Sequence, residues 1–364
     1  MDDSFRRDSG GVAEGRLCHS RLPGSHPQKM QRLIIPLLAA LSAAAPAAAA
    51  GAAQPACATG QAAAPALARL RTALAHGRFV TYQPTALTVS DGRIVSADAA
   101  SIRADLSVLR PRFDSLVTYD AIHGAEEIPA IAAALRFRAL IIGVWNPLDE
   151  AELRAAGDAV RRHPDLVVGL SLGNELLFAG RSDPGALGSL IARLHEQLPQ
   201  APLSVSEPFH IYYRETAAPL LGQLDFLLAN VHPVFQPWFR DADDGASARF
   251  VANVVDRLAA VHCGPILVKE TGVPTAPASA GYNEARQASF YRLLRERLPA
   301  TGGRAFAYFA AFDAPWRAYD ALAAPGARPG VHPEEAHWGL YGADREPKQA
   351  ARELPPLTSP PSPP

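Results

Sequence analysis

From Phe79 onward, apolar residues along this chain follow two alternating rhythms. Short continuous runs occur at 79–82, 115–119, 139–145, 166–172, 202–205, 225–231, 265–268 and 304–312. A strand buried on both faces reads as such a run, without the polar alternation of a half-exposed strand. Between the runs the apolar spacing becomes helical. Over 99–109 it puts Ile102, Leu106 and Leu109 on one face, and over 186–198 it does the same for Leu187, Leu190, Ile191 and Leu194. Helices are also predicted over 128–135, 149–162, 216–224, 246–261 and 283–298. Asp149 precedes an acidic first turn and Asn283 precedes Glu284, both of which are helix-start signals. An extra helix over 64–77 precedes the first strand.

Eight strands, each followed by a helical or connecting segment, predict an α/β fold: a (β/α)8 TIM barrel in a single domain. Residues 66–350 form the catalytic-domain candidate, and barrels of about 250 residues are typical. A doubly wound sheet is the competing arrangement. Against it stands the absence of a Gly-x-Gly-x-x-Gly turn after the first strand.

The ends of the chain read differently. Residues 1–29 carry no apolar period and are rich in Gly, Ser, His and Arg, which reads as an upstream artefact or a disordered segment. Lys29 and Arg32 then flank the start of an apolar stretch that passes into alanines, so 30–50 reads as a signal peptide of an exported, periplasmic or extracellular protein. The alternative is an uncleaved N-terminal membrane anchor. Once the signal is removed, no stable membrane span is expected. Residues 51–65 read as a linker, and 351–364 as a disordered, extended Pro-rich tail.

Composition narrows the function. Apolar residues make up 48% and charged residues 20%, enough to bury a sizeable core. The net charge is −1 and no Lys/Arg-rich block occurs, which argues against nucleic acid as a partner. A monomer is expected. No His/Cys cluster has zinc spacing and no Asp-rich loop suggests calcium, so neither a metal nor a cofactor is predicted. In an oxidising compartment Cys57 and Cys263 could pair; two free buried thiols are the alternative.

In a barrel the C-terminal strand ends converge on one rim. In order these ends are Tyr82, Tyr119-Asp120, Trp145-Asn146, Asn174-Glu175, Ser206-Glu207, Asn230 with His232, Glu270, and Asp313 with Trp316. Carboxylates, amides and aromatics dominate, and no cluster of Arg appears. Such a rim suits an uncharged saccharide, with polar groups for its hydroxyls and flat rings for its C–H faces. Two glutamates at the fourth and seventh strand ends could face each other across one pocket. Paired carboxylates are the equipment for cleaving a glycosidic bond.

Gly173-Asn174-Glu175 and Glu270-Thr271-Gly272-Val273-Pro274 resemble the two signature segments of glycoside hydrolase family 17, retaining (β/α)8 enzymes acting on β-1,3-glucan. Tyr119-Asp120, Gly143-Val144-Trp145-Asn146, Asn230 with Pro233 and Phe235, Phe312-Asp313 and His337-Trp338-Gly339-Leu340-Tyr341 resemble further segments of that family, in the same order. The resemblance implies Glu175 as general acid/base and Glu270 as nucleophile. It puts Asn174 on the sugar 2-hydroxyl, and the strand ends and matched segments together make Tyr119, Asn146, His232, Glu207, Phe235, Asp313, Trp316 and Tyr82 the candidate substrate contacts around it. His232 or Tyr119 would keep Glu270 ionised and oriented. The chain departs from the family pattern at Val273, where Trp is usual, at His232-Pro233-Val234 in place of Tyr-Pro-Tyr, and at Ala311 and Ala314 beside Phe312-Asp313. These changes bear on which glucan is preferred. The alternatives are a glycan-binding barrel without turnover and a related clan enzyme acting on another β-glycan.

Overall fold

Each of the eight apolar runs forms a strand of one closed parallel barrel. A computed structural model describes residues 61–90, 93–318 and 332–357. The strands are β1 (Phe79–Thr81), β2 (Ser115–Val117), β3 (Ala139–Val144), β4 (Val167–Asn174), β5 (Leu203–Pro208), β6 (Leu227–Asn230), β7 (Ile266–Glu270) and β8 (Arg304–Tyr308). Neighbours pair in chain order, and β8 closes on β1 through Phe79 opposite Ala307. The barrel fold is therefore the one the alternation predicts, and the doubly wound sheet is excluded.

The helices are α1 (Ala64–His76), α2 (Ala99–Leu109), α3 (Ile128–Ala134), α4 (Glu150–Arg162), α5 (Pro184–Gln197), α6 (Ala218–Leu221), α7 (Asp244–Leu258), α8 (Glu284–Arg297) and α9 (Gln349–Glu353). Their starts follow side-chain chemistry. Asp98, Asp149, Asp183, Asp243 and Asn283 each accept a first-turn backbone N–H at the N-cap, worth about 1 kcal/mol apiece.

Two apolar layers result. Strand residues facing outward pack under the helices, and an inner set fills the barrel: Phe79, Val117, Ala139, Ile141, Val168, Phe226, Leu228, Leu267, Ala305 and Ala307. The α1 residues Leu67, Leu70, Ala73 and Leu74 join this inner set. Arg69 and Arg71 bond the Pro164 and Gly302 carbonyls, just ahead of β4 and β8. The extra helix thus seals the N-terminal mouth and leaves the C-terminal mouth for chemistry.

Three elements differ from the sequence reading. A hairpin pairs Thr88–Ser90 with Arg93–Val95 after β1; its run of three residues per strand is too short to stand out as a period. The segment read as a helix over 216–224 contains only α6, because Pro219 sits in its first turn and Gly222 ends it. The Pro-rich tail read over 351–364 begins inside ordered structure: α9 runs to Glu353, Leu354 is buried, and the Leu357 N–H donates to the Pro111 carbonyl at 2.8 Å. Proline restricts the chain without preventing it from packing. The readings for 1–29, for 30–50 and for Cys57 lie outside the described residues. Cys263 is disulfide-bonded. No helix among the described residues is long and apolar enough to cross a membrane.

Candidate active site

Strand register decides which side chains reach the open mouth. Side chains on a strand alternate between faces, and an extra residue in the ladder re-aims those that follow. On β4, Ser171 pairs with Ser204 and Asn174 with Ser206, so two β4 residues oppose Val205 alone. Gly173 lies at that step with φ +79°, a conformation glycine adopts without the penalty of a Cβ. Glu175 follows at φ +56°. A non-glycine residue in that region costs about 1–3 kcal/mol and is sustained by its surroundings. Here its N–H donates to the Ser206 carbonyl at 2.8 Å, and its own carbonyl accepts from the Ala179 N–H at 2.9 Å.

A second step lies between β6 and β7, where Ala229 pairs with Val268 and Asn230 with Glu270. Leu267 faces the barrel interior and Val268 the helices. Alternation then turns Lys269 inward, and the step turns Glu270 inward as well. Adjacent residues of opposite charge therefore both enter the mouth.

The two glutamates belong to one connected polar cluster. Asn230 Nδ2 donates to Glu175 Oε1 at 2.9 Å and to Asn174 Oδ1 at 3.3 Å, while its own Oδ1 accepts from Ser206 Oγ at 3.0 Å. Lys269 Nζ donates to Asn174 Oδ1 at 2.7 Å and lies 3.6 Å from Glu270 Oε1. His232 Nε2 contacts Glu270 Oε2 at 3.3 Å. His232 is caged by Phe235, Phe309 and Trp338, with ring centroids 5.4, 5.4 and 5.1 Å away. Lys269 sits over the Tyr119 ring at 4.5 Å.

These surroundings move the two carboxyls in opposite directions. Burial raises Glu175, and the charge of Glu270 raises it further against the pull of Asn230, His232 and Lys269. Burial would also raise Glu270, but His232, Lys269 and Arg317 overcome it and hold the carboxyl down at about 2. Tyr119 is held far above its ordinary range, first by burial and then by the Glu270 charge, so its hydroxyl keeps its proton.

Through Asn174, Glu270 and Tyr119 the cluster reaches a cavity of about 720 Å3, whose lining does not include Glu175, Asn230, His232 or Lys269. Glu270, Asn174, Tyr119, Asn146, Phe235 and Trp316 line it, as the sequence reading expected of the rim. Trp145, Asp120, His123 and Arg317 complete much of the lining, with Val89 and Ile94 of the hairpin opposite. Glu152 sets two strand ends in place: its carboxylate accepts the N–H groups of Trp145, Asn146 and Ala121 at 2.6, 2.9 and 3.2 Å.

Other residues expected at the rim have different partners. Tyr82 is fully buried, and its hydroxyl donates to Asp105 Oδ2 at 2.8 Å. Both Glu207 oxygens accept backbone N–H groups, from Leu177 at 2.8 Å and Phe178 at 3.1 Å, so this carboxylate braces the turn that follows Glu175. Asp313 Oδ1 accepts from Lys348 Nζ at 2.7 Å and from the Gly339 N–H at 2.8 Å, joining β8 to the closing segment. Conversely, sequence reasoning assigned no role to Lys269, Arg317 or Glu152. A lysine inside an apolar strand run, directly before a candidate nucleophile, was the available signal for the first. Among the described residues, no group of three or more His, Cys, Asp or Glu side chains is arranged to hold a metal ion.

Comparison with known proteins gives a consistent picture. Residues 80–339 match the family model of the BtgE/BtgC glycoside hydrolase domain. A glucan 1,3-beta-glucosidase of Arthroderma benhamiae is 26% identical over 306 residues, covering 74% of this chain and 96% of that protein. Among solved structures, an active-site mutant of the Rhizomucor miehei beta-1,3-glucanosyltransferase in complex with laminaritriose superposes with a TM-score of 0.58 at 22% identity, covering 75% of this chain and 96% of that one. An endo-laminarinase from Formosa gives 0.60 at 18% identity, covering 78% and 90%. At these identities the two structures speak for the barrel fold.

Proposed function

Because the chain belongs to the BtgE/BtgC glycoside hydrolase domain family, we propose that it cleaves or transfers β-1,3-linked glucan by a retaining double displacement, with Glu270 as nucleophile and Glu175 as acid/base. The observation that carries the reading is the opposite displacement of the two carboxyls within one cluster. A retaining glycosidase needs one carboxylate to attack and one carboxylic acid to protonate, and environment assigns those roles.

The steps follow from the contacts. Glu270 is ionised, with Oε2 facing His232 and Oε1 turned to the Lys269 ammonium. Because a carboxylate only accepts, His232 donates through Nε2, which orients Glu270. Glu270 attacks the anomeric carbon while Glu175 gives its proton to the departing glycosidic oxygen. Forming the ester removes the negative charge of Glu270, which is the second cause raising Glu175. Glu175, having given up its proton, then stays ionised, and its carboxylate takes the proton of the incoming hydroxyl of water or of another sugar. Asn174 offers its amide to the sugar 2-hydroxyl, a contact that can strengthen in the transition state.

The β-1,3 linkage rests on the activities of the relatives: a glucan 1,3-beta-glucosidase, a beta-1,3-glucanosyltransferase and an endo-laminarinase. The aromatic lining of Tyr119, Trp145, Phe235 and Trp316 suits sugar faces. An exported location is proposed with it, from the basic and apolar start of 30–50.

The test is turnover of laminarin by the wild-type protein and by Glu270→Gln. The expected result is release of reducing sugar or longer transfer products by the wild type, with retained anomeric configuration, and near-complete loss in the variant. Normal turnover in Glu270→Gln contradicts the assignment. Binding of laminarin without turnover by the wild type would favour a glycan-binding barrel.

A further inference from the structure

Lys269 is almost completely buried, at 1% exposure, on the strand that ends in Glu270. Among the described residues its ammonium has three polar or ring contacts, all with the candidate machinery: Asn174 Oδ1 at 2.7 Å, Glu270 Oε1 at 3.6 Å and the Tyr119 ring at 4.5 Å. A buried ammonium is costly unless it is paired and hydrogen-bonded, so its placement calls for a use.

We propose that Lys269 is a positioning residue for the reaction: its ammonium fixes the Asn174 amide with its NH2 toward the sugar and holds Glu270 as a carboxylate. The inference rests on the reading of Glu270 and Asn174 given above.

The amide orientation follows from donor chemistry. A lysine ammonium has three donors and no acceptor, so the Asn174 atom facing it is the carbonyl oxygen. Asn230 Nδ2, also a donor, meets the same oxygen. Asn174 Nδ2 is left without a protein partner among the described residues, in a side chain that lines the cavity. It can only donate, so the sugar must present an acceptor at its 2-position.

Charge placement follows from the groups around Glu270. Glu175 faces it from the end of β4, His232 from the segment after β6, Tyr119 from the end of β2, Arg317 from the segment after β8, and Lys269 from its own strand. Among the described residues Glu270 Oε1 is buried and accepts no hydrogen bond, with the Lys269 ammonium 3.6 Å away. That separation supplies charge to a buried carboxylate oxygen without a short hydrogen bond. Burial lowers Lys269 itself, and the two glutamates oppose that change.

Three measurements test this. The first follows the Glu270 carboxyl carbon by NMR across pH, without substrate, in wild type and Lys269→Met. In wild type it stays ionised to the lowest pH at which the protein is folded. In the variant its midpoint rises by about one pH unit or more, and Lys269→Arg brings it back toward wild type. An unchanged midpoint overturns the proposal. The second compares kcat/KM on an aryl β-glucoside and its 2-deoxy analogue: the wild-type preference for the 2-hydroxyl shrinks about tenfold in Lys269→Met, and an unchanged preference overturns the amide role. The third covers a Lys269→Met chain that does not fold. In wild type at neutral pH the Lys269 Nζ resonance is that of a charged, slowly exchanging ammonium, and a neutral amine there overturns the proposal. Because the NMR arms need no substrate, a wild-type protein inactive on glucan would defeat the functional reading while leaving the Lys269 assignment decided on its own.

Discussion

At the scale of single residues, one cluster gives two glutamates different tasks. Glu175 must be protonated to start the reaction, and both burial and the Glu270 charge raise it. Activity therefore falls as pH rises through the raised Glu175 value, and that alkaline limb disappears in Glu175→Gln. The same variant loses about 100- to 10,000-fold on glucan, as expected for removal of a general acid. It keeps most of its first-step rate on a dinitrophenyl glucoside, whose leaving group needs no proton. Pre-steady-state release of dinitrophenol measures this, and equal losses on both substrates would contradict the role. Glu207 allows a separate prediction. Burial pushes it up to about 7, against the pull of the Leu177 and Phe178 N–H groups. A carboxyl raised on folding binds more protons in the native state, so stability falls as pH rises from about 4.5 to about 7. Thermal unfolding of Glu207→Gln between about pH 5 and pH 8 shows a shallower decline than wild type.

At the scale of elements, two register steps put the chemistry in place. The Asn-Glu and Glu-Thr-Gly segments were legible as motifs because each closes an apolar run. The steps were not legible, because an extra residue in a ladder leaves no period in the sequence. The same blindness hid Lys269: alternation turns it inward only once the register of β7 against β6 is known. It also left Tyr82, Glu207 and Asp313 with the rim, since a strand-end position does not reveal which neighbour a side chain meets. Gly272 has a reason that the sequence shows only as a letter. A Cβ there would lie 2.2 Å from the Phe309 carbonyl oxygen, beside the rings that cage His232. Gly272→Ala is expected to cost about 1–3 kcal/mol through overpacking and to lower kcat more than it raises KM. Denaturant unfolding with steady-state kinetics on laminarin checks both.

At the scale of the whole molecule, the fold class was the most legible feature. Eight runs and their intervening helices give the barrel by count, and closure from β8 to β1 leaves the barrel itself without a free edge. The role of α1 was less visible. Its amphipathic pattern predicted a helix, but only the structure shows Leu70 and Leu74 sealing the N-terminal mouth within the inner apolar set. Leu74→Ala is expected to lose about 2–5 kcal/mol of stability, with kcat on laminarin unchanged at a temperature where the variant is folded. A fall in kcat without a fall in stability would contradict that division between a sealed end and a reactive end. The central claim remains the covalent chemistry of Glu270 across the open mouth. Its most direct test is mass spectrometry of the protein after reaction with a 2-deoxy-2-fluoroglucoside bearing an activated leaving group, followed by peptide mapping. The account predicts one sugar attached to Glu270 as an ester; a sugar on any other residue, or none with a substrate that is nevertheless turned over, would contradict it.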